Sequence, residues 1–171
     1  MLLNLPSAIG QALHNVHVGT LATLQSVDML LRRRSNVLPD LADPQERAAF
    51  NQFVDTVDRE VGRHFAFEEG ELFPLLAAAG QGGMVAMLTM EHRDILPVAQ
   101  EAAQLAATAL AQGKFDAADW KTFRELAGEF LERELFHIQK EEMGLLAAVG
   151  ALIPADVDLR LAAAYRESNP S

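Results

Sequence analysis

Two stretches of this chain, "HFAFEEGELFPLL" from His64 and "HIQKEEMGLLAAV" from His137, share the pattern His-x-x-x-Glu-Glu-x-x-Leu. In each, a basic and an acidic side chain one helical turn apart stand where a helix would otherwise carry apolar residues. One helical segment sets Phe50, Phe53, Val57 and Val61 on one face, and that stripe passes through His64 and Glu68 to Leu72 and Leu75. A later segment runs Phe123, Ala127, Phe130, then Glu134, His137 and Glu141, then Leu145. Another, with Val85, Leu88, His92, Ile95 and Ala99, has a histidine at an equivalent place. Any fold for this chain must bury imidazoles and carboxylates at core positions of several helices and compensate them there.

Turn-forming residues divide the chain into four long helices and a short one. The first runs from an N-cap at Ser7 to about Arg33, and "SNVLPDLADP" follows as a loop. Asp43, Pro44 and Glu46 are placed as cap, first helical residue and capping-box glutamate of the second helix, which extends to about Ala79 before "GQGG". The third spans about Met84 to Gln112 with a distortion expected at Pro97, and the fourth about Asp116 to Val149. Pro154 precedes a last helix of about Ala155 to Glu167. This pattern predicts an all-α, up-down-up-down antiparallel four-helix bundle with a short C-terminal helix. A single domain over residues 1–171, with a bundle core of about 7–150, is long enough to bury a substantial interior. Met84, Met87 and Met90 are expected to fill that core.

The chain has no cysteine, which excludes disulfides, thiolate catalysis and cluster ligation by its own residues. A formal net charge of −10 argues against binding to nucleic acid or an anionic membrane surface. "MLLNLPSAIG" lacks the charged and long apolar regions of a secretion signal, and no run approaches an uninterrupted membrane span of about 18 residues. A soluble cytoplasmic protein is the expectation.

An internal repeat sharpens the reading. His17 precedes His64 by 47 residues and His92 precedes His137 by 45, as if a helix pair had been duplicated. His17 shares a stripe with Leu13, Thr20, Leu24, Val27 and Leu31, whereas the stripe through His14 is poorer; His14, one turn away, remains the alternative. His17, His64, Glu68, His92, His137 and Glu141 then form one layer across the bundle. Without cations, burying such carboxylates costs several kcal/mol each, roughly, and leucines would serve better. A pair of cations removes the difficulty. Imidazole nitrogen and carboxylate oxygen suit iron or manganese, and zinc as well. Two carboxylates from opposite helices can bridge two ions, leaving each two histidines and open positions for a small molecule. The alternative carboxylate-rich site needs Glu-x-x-His twice; Glu134-x-x-His137 supplies one copy, and the first helix has no glutamate.

The order His, His-x-x-x-Glu, His, His-x-x-x-Glu, with "HFAFEEGELFP" and "EHRDIL", resembles the hemerythrin-like HHE cation-binding domain over about residues 10 to 150. The resemblance implies a four-helix bundle holding two non-haem iron ions that change between Fe2+ and Fe3+. By position it makes His17, His64, His92 and His137 terminal ligands, and Glu68 and Glu141 bridging ones. It implies binding or sensing of dioxygen, nitric oxide or peroxide. The alternative is a di-iron redox enzyme or iron donor in nitrosative stress and iron–sulfur cluster repair, with a redox or signalling partner that the sequence does not identify. Oxygen carriers of the family have a second histidine four residues along the third helix, where this chain has Leu88 and Leu96 flanking His92. Four histidines make the site more similar to the repair-associated members.

Overall fold

The computed structural model describes residues 7–170, so the apolar stretch before Ser7, read as lacking a secretion signal, lies outside the described residues. The helices are α1 (Ala8–Arg33), α2 (residues 44–79), α3 (Gly82–Gln112), α4 (residues 117–152) and α5 (Ala155–Ser168). No strand occurs among the described residues. The four long helices close a ring of contacts: α1 packs on α2 and α4, and α3 packs on the same two. Gly80, at φ 92°, breaks the rod between α2 and α3 in a conformation that glycine adopts without steric cost. Helix α3 runs uninterrupted through Pro97.

Both motif-bearing helices widen locally. Helix α2 is α-helical over Pro44–Asp55 but opens into π-turns over Thr56–Gly62 and Glu68–Leu72. Helix α4 is α-helical over Ala117–Lys140 and opens over Glu141–Leu145. A π-turn spends extra residues per turn and so shifts the inward face along the sequence. That shift explains why Leu76 is buried and Leu75, the expected stripe residue, is 38% exposed. Pro74, which lacks an N–H and crowds the preceding turn, sits just after one of these openings.

The interior consists of two apolar clusters with the polar layer between them. On one side Phe50, Phe53, Phe115, Trp120, Phe123 and Phe130 pack together. On the other lie Ile9, Leu13, Leu72, Leu76, Leu88 and Leu145, joined by Leu161 and Tyr165 of α5. Along each long helix the layer residues fall between residues of the two clusters. Asp158 of α5 accepts from the Ser7 hydroxyl at 2.5 Å and from the Ala8 and Ile9 backbone N–H groups at 2.7 and 3.0 Å. It thereby caps α1 and holds α5 against it.

Three expectations change. Glu46 does not close a capping box: Asp43 caps Gln45 N–H, while Glu46 turns into the loop, accepting from Arg34 and from the Asp40 N–H at 2.8 Å each. Met87 and Met90 are 42% and 64% exposed, because the inward face of α3 is taken by Leu88, His92 and Ile95; Met84 packs partly against the core. By length and composition one stretch within Pro44–Gln112 is apolar enough to cross a membrane, with a mean hydropathy of 1.5. Its longest charge-free run, residues 72–90, straddles the break at Gly80.

Candidate metal centre

The six residues that share core stripes in the sequence meet in one buried layer, none more than 3% exposed. His17 comes from α1, His64 and Glu68 from α2, His92 from α3, His137 and Glu141 from α4. The histidines pair within each half of the repeat, His17 Nε2 lying 3.3 Å from His64 Nε2 and His92 Nε2 lying 3.2 Å from His137 Nε2. The carboxylates lie between the pairs. Glu68 reaches His64 at 3.1 Å with one oxygen and His92 at 3.3 Å with the other. Glu141 reaches His17 at 2.9 Å with one oxygen and His137 at 2.9 Å with the other. Two four-residue groups result, His17–His64–Glu68–Glu141 and Glu68–His92–His137–Glu141, with all donor atoms in each within 4.8 Å of one another. Both carboxylates belong to both groups. His14 lies outside, its side chain 47% exposed and paired with Glu142 at 2.9 Å.

The π-turns within the two motifs begin at Glu68 and at Glu141. After Ile138 the buried positions fall every fourth residue from His137, at Glu141, Leu145 and Val149, and a run of fours exceeds the α-helical period of about 3.6. The wider turn keeps carboxylate and leucines inward together. Pi-turns concentrate at functional sites for this reason.

Three histidines are oriented from behind, by glutamates that the sequence reading passed over. Each carboxylate only accepts, so the facing ring nitrogen carries the proton. His17 Nδ1–H donates to Glu142 at 2.6 Å, His92 Nδ1–H to Glu69 at 2.9 Å and His137 Nδ1–H to Glu91 at 2.8 Å. Glu91 also pairs with Lys140. Glu69 and Glu142 are the second glutamates of the two His-x-x-x-Glu-Glu motifs, and each braces a histidine of the other half. Their signal was the doubled glutamate. Glu91 directly precedes His92; the matching position before His17 is Val16, and His64 Nδ1 has no partner. Fixing the proton on Nδ1 turns Nε2 inward as a lone-pair donor, the arrangement that orients metal-bound histidines.

Aromatic rings seal the layer. Phe65 stacks on His92 with ring centroids 3.7 Å apart and meets His137 edge-on at 5.3 Å, while Phe73 stacks on His92 at 5.5 Å. Tyr165 is buried edge-on to His64 at 6.3 Å and to Phe67 at 4.9 Å. Glu134, one turn before His137, is 3% exposed and does not brace it; Glu91 holds His137. Burial pushes its carboxyl up to about 7.

The layer is incomplete as a metal-free core. Both oxygens of Glu68 and both of Glu141 are buried without a well-formed hydrogen bond, a rare and costly condition. Protons supply part of the compensation. Burial alone would lower the His92 and His137 imidazoles, but the carboxylates outweigh it and raise both to about 9. His64 is likewise raised well above the usual histidine value against the effect of burial. Burial would raise the Glu141 carboxyl, yet the facing imidazoles of His137, His17, His64 and His92 hold it well below the usual range. Four converging imidazoles and two shared carboxylates fit cations better than protons.

The model of the hemerythrin HHE cation binding domain matches residues 12–149. The chain belongs to this family. The matched span contains all six layer residues and the three bracing glutamates, and the buried His/Glu cluster identifies a metal-binding protein. No curated protein and no solved structure matches the chain significantly.

Proposed function

We propose that this chain is a di-iron protein of the hemerythrin-like type that binds or senses a small ligand such as dioxygen, nitric oxide or peroxide. The observation that carries the reading is the sharing of Glu68 and Glu141 by both four-residue groups. Two adjacent cations with common carboxylates account for it directly; one cation leaves half the layer without a purpose. His17 and His64 would hold one ion, His92 and His137 the other, with Glu68 and Glu141 between them. The contact ring of α1 to α4 and the single-residue break at Gly80 support an up-down-up-down antiparallel order for the helices, in one domain.

The bound pair would supply open coordination positions and one-electron redox changes. The chain's own residues do the rest. Glu142, Glu69 and Glu91 hold His17, His92 and His137 in the tautomer that presents Nε2 inward. Phe65, Phe73 and Tyr165 exclude bulk water, which strengthens electrostatic interactions inside the layer. The layer histidines and carboxylates, not cysteine, set a site of mixed nitrogen and oxygen donors, which suits iron or manganese over softer metals.

The test is elemental analysis of purified protein combined with visible spectra before and after reduction, then exposure to oxygen or nitric oxide. Iron at two ions per chain with a reversible spectral change on ligand exposure is the expected outcome. Sustained turnover with an added reductant would move the reading to a redox enzyme. Bound metal inert to reductant and ligand would refute the ligand-binding role.

A further inference from the structure

Glu134 is the one fully buried acid of the layer region that neither joins the two donor groups nor braces a histidine. It lies one turn before His137 on the inward face of α4, between Phe130 and the layer. It is 3% exposed, it forms no hydrogen bond, and its Oε2 is shut off from solvent without a partner. On the buried face of this helix it is the residue next to His137, within one turn of about 5.4 Å, so it adjoins the layer. Yet it belongs to neither group whose donor atoms lie within 4.8 Å of one another.

A buried carboxyl without a partner costs roughly 1–3 kcal/mol or more, and more still when ionised. A leucine at this position would continue the stripe of Phe123, Ala127 and Phe130 at no such cost. Six protein donors leave open positions on two ions, and what fills them is a small polar molecule.

We infer that Glu134 donates a hydrogen bond to the small ligand or solvent held at an open position of the metal pair. This rests on the metal reading above. The carboxyl carries its own proton because no cationic side chain pairs with it. Five carboxylates, Glu68, Glu141, Glu69, Glu91 and Glu142, already surround the layer and balance the charge of two divalent cations and of Lys140. The recognised ligand is therefore a small anion or a molecule that gains negative character on binding, which accepts rather than donates.

The experiment uses the full chain loaded with cobalt(II), whose visible bands report coordination, and azide as the probe anion. Three proteins are compared: wild type, Glu134→Leu and Glu134→Gln. All three should take up two cobalt ions per chain, since Glu134 is not a ligand. Glu134→Leu should bind azide about tenfold more weakly, the loss expected for one hydrogen bond to a charged group. Glu134→Gln, whose amide still donates, should stay within about threefold of wild type. Both variants should melt no lower than wild type without metal, because an unpartnered buried acid has been removed. Equal or tighter azide binding by Glu134→Leu overturns the inference, as does a wild type that takes cobalt but no azide. Lower cobalt affinity in both variants overturns it in favour of direct ligation. A wild type that takes up no cobalt refutes the metal centre itself, a separate failure.

Discussion

Replacing Glu141 by glutamine keeps the volume of the side chain and removes its charge, which isolates what that charge does. In the layer, one Glu141 oxygen lies 2.9 Å from His17 Nε2 and 3.6 Å from His64 Nε2, and the other lies 2.9 Å from His137 Nε2 and 3.7 Å from His92 Nε2. Every layer histidine loses a partner at once. Breaking a buried ion pair on one side costs roughly 3–5 kcal/mol, because the remaining charge stays buried. For a chain of 171 residues that corresponds to a fall in melting temperature of about 6–20 °C in the metal-free protein, at ~2–4 °C per kcal/mol. On the proposed reading both ions share this carboxylate, so the loss of metal should be complete. Glu68→Gln should cost less without metal, because Glu68 meets only His64 and His92. The assay is differential scanning calorimetry of metal-free protein, followed by metal uptake after reconstitution and gel filtration. A Glu141→Gln protein that melts within ~2 °C of wild type, well under the expected shift, and retains two ions per chain would refute the reasoning.

Three further outcomes follow. The pairing of His92 and His137 is fully stabilising below their ordinary value near 6.5 and is lost as pH rises through about 9. The melting temperature of the metal-free chain should therefore fall between pH 6.5 and 9, and metal binding at pH 7 should release protons that potentiometry counts; a flat profile with no release would contradict the shifts. Glu69→Gln, Glu91→Gln and Glu142→Gln should each weaken metal binding by about tenfold or more in chelator competition, with exposed Glu71→Gln unaffected; equal affinities would mean the bracing contacts do not matter. Asp158→Ala removes three hydrogen bonds at the start of α1 and should destabilise the chain by about 2 kcal/mol in urea unfolding without changing its metal content.

The sequence made the site legible because it violates its own pattern. Apolar stripes that run into His64, Glu68, His92, His137 and Glu141 demand that these residues meet in the interior, and they do. His17 was separable from His14 by the same means, since only His17 lies on a continuous apolar stripe; it is buried and His14 is not. Helix ends were readable from Ser7, Asp43, Gly80 and Asp116 because caps and glycine turns are local chemistry. What escaped depended on phase and on contacts between distant elements. The π-turns at Glu68 and Glu141 moved the inward face from Leu75 to Leu76, and only the run of fourth-residue spacings announced them. Glu46 had the spacing of a capping box, but the buried Arg34 contact won it. Glu69 and Glu142 sit beside the layer glutamates and brace histidines across the repeat, a crossing that no local spacing encodes. Tyr165 reaches the site through α5, which Asp158 and the buried Leu161 hold against the bundle.

The central claim is that two cations occupy the layer and share Glu68 and Glu141. Anomalous diffraction from crystals of the iron-loaded chain, collected on either side of the iron absorption edge, tests it most directly. The account predicts two peaks, one beside His17 and His64 and one beside His92 and His137, with both carboxylates between them. A single peak, or metal bound away from these six side chains, would contradict it.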